Sequence, residues 1–319
     1  MVKTTNRKIS FPNFHTQLSE LACTAATTTL LCLLLFRLYT TLALERILAR
    51  PSNPPAVLVL SLLLPLTTLA HTASAKAAPH SFSGVDRVIQ KAVSAGEIPG
   101  AVLVVGQKSR VLYQKAYGRR ALVPRRQPMT LDTVFDLASL TKPIVTATAV
   151  MQLVERGKLQ LDHPVARYLP EFARNGKEAI TVRQLLTHFS GLRPDLDLTE
   201  PWQGRDEALR RVWEEKAAHA PGEIFVYSDL NFIVLGLLVE RITGTPLDQY
   251  AEAHIFRPLG MTNARFLPPA EWKLRIAPAE PDERGQMLRG VVHDPTSRRM
   301  GGVAGHAGLF GTADDVARF

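Results

Sequence analysis

Apolar residues recur with different periods in successive stretches of the chain, and the period predicts the element. Residues 85–95 show a helical apolar spacing ended by Gly96. Residues 101–107 and 110–117 are β-rich runs on either side of Lys108 and Ser109, which reads as a hairpin. From residue 139 the period lengthens: Leu140, Ile144, Ala147, Met151 and Val154 fall on one side of a helix over 139–156. Further helices are predicted over 182–188, begun by Thr181, over 207–217, and over 230–243, closed by Gly244. Another runs over 246–256, with Thr245 as N-cap and Pro246 at the first position. Beyond Arg265 the pattern dissolves into Pro-rich and Gly-rich loops. Strands first and helices afterwards point to an α+β fold, an antiparallel sheet with flanking helices plus an all-α region over about 145–262.

The first 80 residues read differently, as a hydrophobic leader before a globular part over 81–319. Arg46 and Arg50, then an apolar run over 56–70, then the small residues around Ala73, Ala75 and Ala77 make a secretory signal over 44–77. This predicts export to the periplasm or the outside of the cell. A second apolar stretch over 21–44 carries Arg37 near its middle. It reads either as a membrane-spanning anchor or as an extension from a start codon set too early. A mid-span charge costs roughly 2.5–3.5 kcal/mol on insertion, which favours the second reading.

Composition removes several function classes. The net charge is +9 over 319 residues, but residues 1–80 hold seven Lys and Arg against two Asp and Glu, so +5 of it lies in the leader. The remaining 31 basic and 27 acidic side chains are unremarkable, and no basic stripe interleaved with aromatics appears, which argues against nucleic acid as a partner. Both cysteines, Cys23 and Cys32, fall in the leader, so residues 81–319 offer no disulfide, thiol nucleophile or cysteine metal site.

The chemistry concentrates where the first long helix begins. Ser139 and Lys142 are three residues apart, a spacing that puts both on one helical face. A lysine so placed accepts the hydroxyl proton as the serine attacks. Tyr227, in a loop that feeds directly into an apolar helix, is placed to share that proton or protonate a leaving group. His188, His293 and His306 have no metal-binding spacing and read as structural or loop residues. Ser190 follows Phe189 rather than Gly-x, against an α/β-hydrolase elbow. Trp202 could line a cleft or cover the helices, and Asp294 has no role at this stage.

Several motifs in order resemble the serine β-lactamase and penicillin-recognising group, in the branch of class C β-lactamases, D-stereospecific peptidases and family VIII carboxylesterases. These are Thr133-Val-Phe-Asp-Leu-Ala-Ser139-Leu-Thr-Lys142, Leu153-Val-Glu-Arg-Gly-Lys-Leu-Gln-Leu-Asp162, Thr181-Val-Arg-Gln-Leu-Leu-Thr-His-Phe-Ser-Gly-Leu192, Tyr227-Ser-Asp229 and Pro258-Leu-Gly-Met261. The resemblance implies a hydrolase that forms an acyl-enzyme on an ester, a D-amino-acid peptide or a β-lactam and needs no cofactor. Ser139 would be the acylated nucleophile, Lys142 its activating base and Tyr227 the proton-sharing partner. Asp229 stands where many β-lactamases carry a substrate-binding Asn, and an ionised carboxylate only accepts hydrogen bonds. His306-Ala-Gly308 imitates the family's third motif, Lys-Thr-Gly or His-x-Gly. Its surroundings instead match the family's Gly-Gly-Leu-x-Ser-Thr segment, with Thr312 and Asp315 forming a capping-box start. On that reading the third-motif strand is missing, the chain looks C-terminally truncated, and the N-terminal hairpin is left a two-stranded ribbon, marginal by itself. The competing expectation is a non-catalytic binding or sensor relative, or an inactive truncated product.

Overall fold

The computed structural model describes residues 81–319 apart from residue 283. The predicted leader, its signal and its apolar stretch lie outside the described residues.

Helix α1 (Ser83–Ser94) packs on a hairpin of β1 (Gly100–Gln107) and β2 (Arg110–Ala121). The tie is polar: the carboxylate of Asp86 accepts hydrogen bonds from the hydroxyls of Tyr113 and Tyr117 and from the Lys115 ammonium. The turn falls at Lys108 and Ser109 as the pattern predicts, with Lys108 in the left-handed region at φ 55°. The hairpin is not an isolated ribbon. A short β3 (Gln127–Pro128) pairs antiparallel to β2, and β1 also packs against the last helix of the chain.

The expectation of one sheet is replaced by two. The second is antiparallel and three-stranded, with β4 (Phe135–Asp136) and β5 (Arg265–Phe266) flanking β6 (Leu309–Gly311). Its register sets Asp136 opposite Phe310, and the Leu137 N–H donates to the Leu309 carbonyl at 2.8 Å. Residues 305–311 are thereby brought against the turn that carries Ser139. Pairings across this many residues leave no local trace in a sequence.

The predicted helix over 139–156 forms, though not as one regular α-helix. A 3-10 turn at Ala138–Leu140 leads into a wide π-type turn at Lys142–Ala147, and only then into α2 (Thr148–Glu155). Pro143 supplies no N–H to a helical ladder, and the Thr148 hydroxyl takes its carbonyl at 2.9 Å, which loosens the turn there. Helix α3 (Val182–Leu186) starts on a complete capping box of Thr181 and Gln184, and α4 covers Arg205–Glu214. Helix α5 (Asp229–Thr243) buries nine of its residues, so it is the central helix, apolar nearly all round. It stops at Gly244, which is left-handed at φ 68°.

Helix α6 (Leu247–Ala251) begins one residue later than expected. Pro246 is extended at ψ 145° and is itself the N-cap, leaving Thr245 outside. The free Leu247 N–H is taken by a Glu240 carboxylate oxygen at 2.9 Å, a partner on another helix that local sequence does not reveal. A π turn at Glu252–Phe256 and α7 (Arg257–Leu259) continue it. Two short helices close the chain, α8 (Pro295–Arg299) and α9 (Ala313–Arg318), the latter on the expected Thr312–Asp315 capping box. Val316 packs on the core while Phe319 stays half-exposed.

Trp202 is buried among the helices, donates to the Asp197 carbonyl and lies between the guanidinium groups of Arg211 and Arg299. It covers the helical region rather than lining a cleft. Among the described residues no single helix is long and apolar enough to cross a membrane.

Candidate active site

Ser139 lies in the 3-10 turn between β4 and the π turn, exposed to solvent. The residue before it, Ala138, has φ 45°, a conformation that costs a non-glycine residue roughly 1–2 kcal/mol. The turn is held by Asp136, one carboxylate oxygen accepting from the Ala138 N–H and the other from the His293 N–H, both at 2.8 Å. Burial raises the Asp136 carboxyl above its ordinary value, and these two N–H groups oppose that rise.

Lys142 is on the same face one turn on, as its spacing requires, but buried where Ser139 is exposed. Its Nζ is 2.9 Å from Ser139 Oγ, 3.1 Å from the His306 carbonyl oxygen and 2.6 Å from Asp229 Oδ1. The approach to Asp229 is off the hydrogen-bond direction, so that oxygen meets the charge without accepting a hydrogen bond. The rings of Tyr227 and Phe232 complete the surroundings, with centroids 4.9 and 5.9 Å from Nζ.

Tyr227 is 46% exposed and stacks on His188 with centroids 4.5 Å apart. Its hydroxyl makes no hydrogen bond among the described residues, and its ring is the part that faces Lys142. Asp229, the first residue of α5, faces Lys142.

Sequence reasoning missed the residues that support this trio. His188 follows the end of α3 in the left-handed conformation, φ 61°, where glycine is usual. Its Nδ1 accepts the Ser228 N–H at 3.0 Å, which fixes the loop carrying Tyr227. Burial, reinforced by the Lys142 charge, holds His188 below its ordinary value. Asp294 caps α8 through the Ser297 N–H and takes a hydrogen bond from His306 Nε2 at 2.9 Å. His306 is wholly buried and faces Asp294. His293 pairs with Glu280, so the three histidines serve separate contacts. Ser190 is buried and donates to Asn231 Oδ1 at 2.6 Å. A histidine just past the end of a helix, where glycine is usual, was a local signal that could have drawn attention to His188.

A family model described as Beta-lactamase matches residues 85–319. The chain belongs to the beta-lactamase family. Among relatives, the N-acetylmuramyl-L-alanine amidase of Bacillus subtilis (strain 168) is 33% identical over 82% of this chain and 70% of its own length. Esterase EstB of Burkholderia gladioli is 36% identical over 73% of this chain and 68% of its own length. A class C beta lactamase of known structure is 26% identical, with a TM-score of 0.63 over 74% of this chain and 63% of the other. The chain thus spans roughly two thirds of the length of each of these beta-lactamase-family proteins.

Proposed function

We propose that the protein is an exported serine hydrolase that works through an acyl-enzyme on Ser139. The observation that carries this is an exposed serine hydroxyl 2.9 Å from a buried lysine amine. Relatives bearing the names of an amidase and an esterase, with a class C beta lactamase as structural neighbour, support an amide, an ester or a β-lactam as substrate class, and the motif resemblance extends this to a D-amino-acid peptide. Export rests on the signal-like pattern over residues 44–77.

In the acylation step Lys142 enters as the neutral amine: Ser139 Oγ bonds to the substrate carbonyl carbon while its proton passes to Lys142 Nζ. The ammonium so formed lies against Asp229 and over the Tyr227 ring, both of which stabilise a cation at that point. The Tyr227 hydroxyl, with no hydrogen bond among the described residues, carries the proton onward to the leaving group. That group departs and an ester to Ser139 remains. Water then attacks the ester with the same groups acting in reverse, freeing the acid and restoring the serine. No metal or organic cofactor takes part in these steps.

The test is covalent labelling of the purified protein with a fluorophosphonate, located by peptide mass spectrometry. Modification at Ser139 that disappears in Ser139→Ala is the expected result. Modification that persists in Ser139→Ala sinks the assignment.

A further inference from the structure

The buried network behind Ser139 and Lys142 is more elaborate than packing requires. Asp294 sits at its centre. One of its oxygens accepts both His306 Nε2 at 2.9 Å and the Ser297 N–H at 2.7 Å. The Ser297 hydroxyl reaches on to the Ala307 carbonyl at 3.0 Å, so the loop at 294–297 grips the segment 306–307 twice. That segment presents the His306 carbonyl to Lys142 Nζ. The residue just before this stretch, His293, holds the nucleophile turn, because its N–H donates to Asp136, which in turn accepts the Ala138 N–H.

His306 itself is costly. It is 0% exposed, and its Nδ1 is buried with no partner among the described residues. An apolar side chain of similar size would leave no buried polar atom unpaired. Burial alone would lift the Asp294 carboxyl. The His306 bond and charge, with the Ser297 N–H and Lys142 behind them, outweigh it, so Asp294 stays below its ordinary value. A second half-buried carboxylate, Asp195, accepts the Thr296 hydroxyl at 2.8 Å and is pushed up by partial burial.

We propose that Asp294 and His306 are positioning residues, whose buried hydrogen bond fixes the main chain at residue 306 so that its carbonyl holds Lys142 against Ser139. This rests on the acyl-enzyme reading above. Neither side chain touches the reacting atoms. Their contribution is the orientation of the lysine amine, which on a fixed backbone acceptor cannot swing away from the serine toward Asp229 alone. An error of an ångström in such alignment costs on the order of 100-fold in rate.

Three variants test this in the full chain: His306→Leu, His306→Gln and Asp294→Asn. Gln at 306 retains an N–H donor for Asp294, whereas Leu has none. With p-nitrophenyl acetate, His306→Leu is expected to lower kcat about 30- to 100-fold with KM within about twofold, and His306→Gln to recover most of the loss. Asp294→Asn is expected to fall between them. An unchanged kcat in His306→Leu, a KM that rises in step with it, or a Gln variant as slow as Leu each overturns the proposal.

A readout independent of activity separates this from failure of the hydrolase reading. Lysine acetylation by trace acetic anhydride, followed by peptide mass spectrometry, reports how tightly each amine is held. Lys142 is expected to react several-fold faster in His306→Leu than in wild type or His306→Gln. Lys177, buried elsewhere and donating to the Arg174, Trp213 and Glu215 carbonyls, should keep its rate. Equal acceleration of both lysines would mean general loosening, and no acceleration of Lys142 would mean that His306 does not hold it; either result overturns the proposal. Fluorophosphonate labelling that survives Ser139→Ala would instead strike the hydrolase reading and leave the lysine result to stand.

Discussion

Lys142 Nζ lies 2.6 Å from Asp229 Oδ1, with the lysine 4% and the aspartate 20% exposed at the side chain. This pairing gives the aspartate at the family's usual asparagine position a task on the lysine. The pair is too buried for the near-zero value of a surface ion pair and too open for that of a fully enclosed one. Removing the carboxylate in Asp229→Ala leaves a buried amine without a counter-charge, and a loss of about 2–3 kcal/mol in unfolding free energy is expected. Asp229→Asn keeps the volume, so its stability loss should be smaller while kcat/KM falls at least about tenfold, equivalent to roughly 1.4 kcal/mol. Urea unfolding and ester hydrolysis on the two variants check both statements.

The Tyr227 ring and hydroxyl make separable contributions. The ring stacks on His188 and faces Lys142, while the hydroxyl makes no hydrogen bond among the described residues. Tyr227→Phe should therefore fold as the wild type does yet lose about 100-fold or more in kcat, the usual worth of a proton-transfer group. Tyr227→Ala should add a fall in thermal midpoint, because the stack is lost. A Phe variant with wild-type kcat would confine Tyr227 to a packing role.

His188 makes the site acid-sensitive. It is held below its ordinary value by burial first and by the Lys142 charge second, and neutral Nδ1 must accept the Ser228 N–H. Once the pH drops below about 6.5, the unfolded chain takes up a proton that the folded chain resists, so stability declines as pH falls. Above that value the group contributes no slope. Asn at 188 tolerates the left-handed backbone and offers an oxygen to Ser228. Urea midpoints at pH 7.5 and 5.5 should therefore differ less in His188→Asn than in wild type.

Gly305 and Gly236 let two backbones meet. A Cβ on Gly305 would stand 2.0 Å from the Phe232 carbonyl oxygen and 3.0 Å from the Gly236 Cα. The Gly305 carbonyl also accepts the Thr146 hydroxyl at 2.6 Å, one residue before the carbonyl that receives Lys142. Gly305→Ala must push this segment away from α5, at about 1–3 kcal/mol in stability. Activity should fall with it, because the His306 carbonyl shifts as well. A fully active, fully stable alanine variant would show that the crossing has room to spare.

Much of this was legible along the chain because it depends on neighbours a few residues apart. The Ser139–Lys142 spacing, the helix start at Thr181, the Thr312–Asp315 capping box and the helix stop at Gly244 are local arrangements, and each appears as read. Boundaries slipped where a distant group intervened. Glu240 on α5 caps α6 and moves its start past Pro246, and Pro143 with Thr148 turns a regular helix into a π turn.

By itself the sequence determined that Ser139 and Lys142 share one helical face, that Tyr227 stands in the loop before an apolar helix, and that a hairpin precedes a run of helices, because backbone period and side-chain reach within one turn are properties of the local chain. Only the tertiary structure decided that two small sheets replace one, since strand pairing joins residues such as Asp136 and Phe310 that no local pattern connects. It likewise decided that Asp229 faces Lys142, and that His306 and Asp294 lie behind both. Burial and charge pairing are set by what folds against a residue, and for Lys142 that includes a carbonyl 164 positions away.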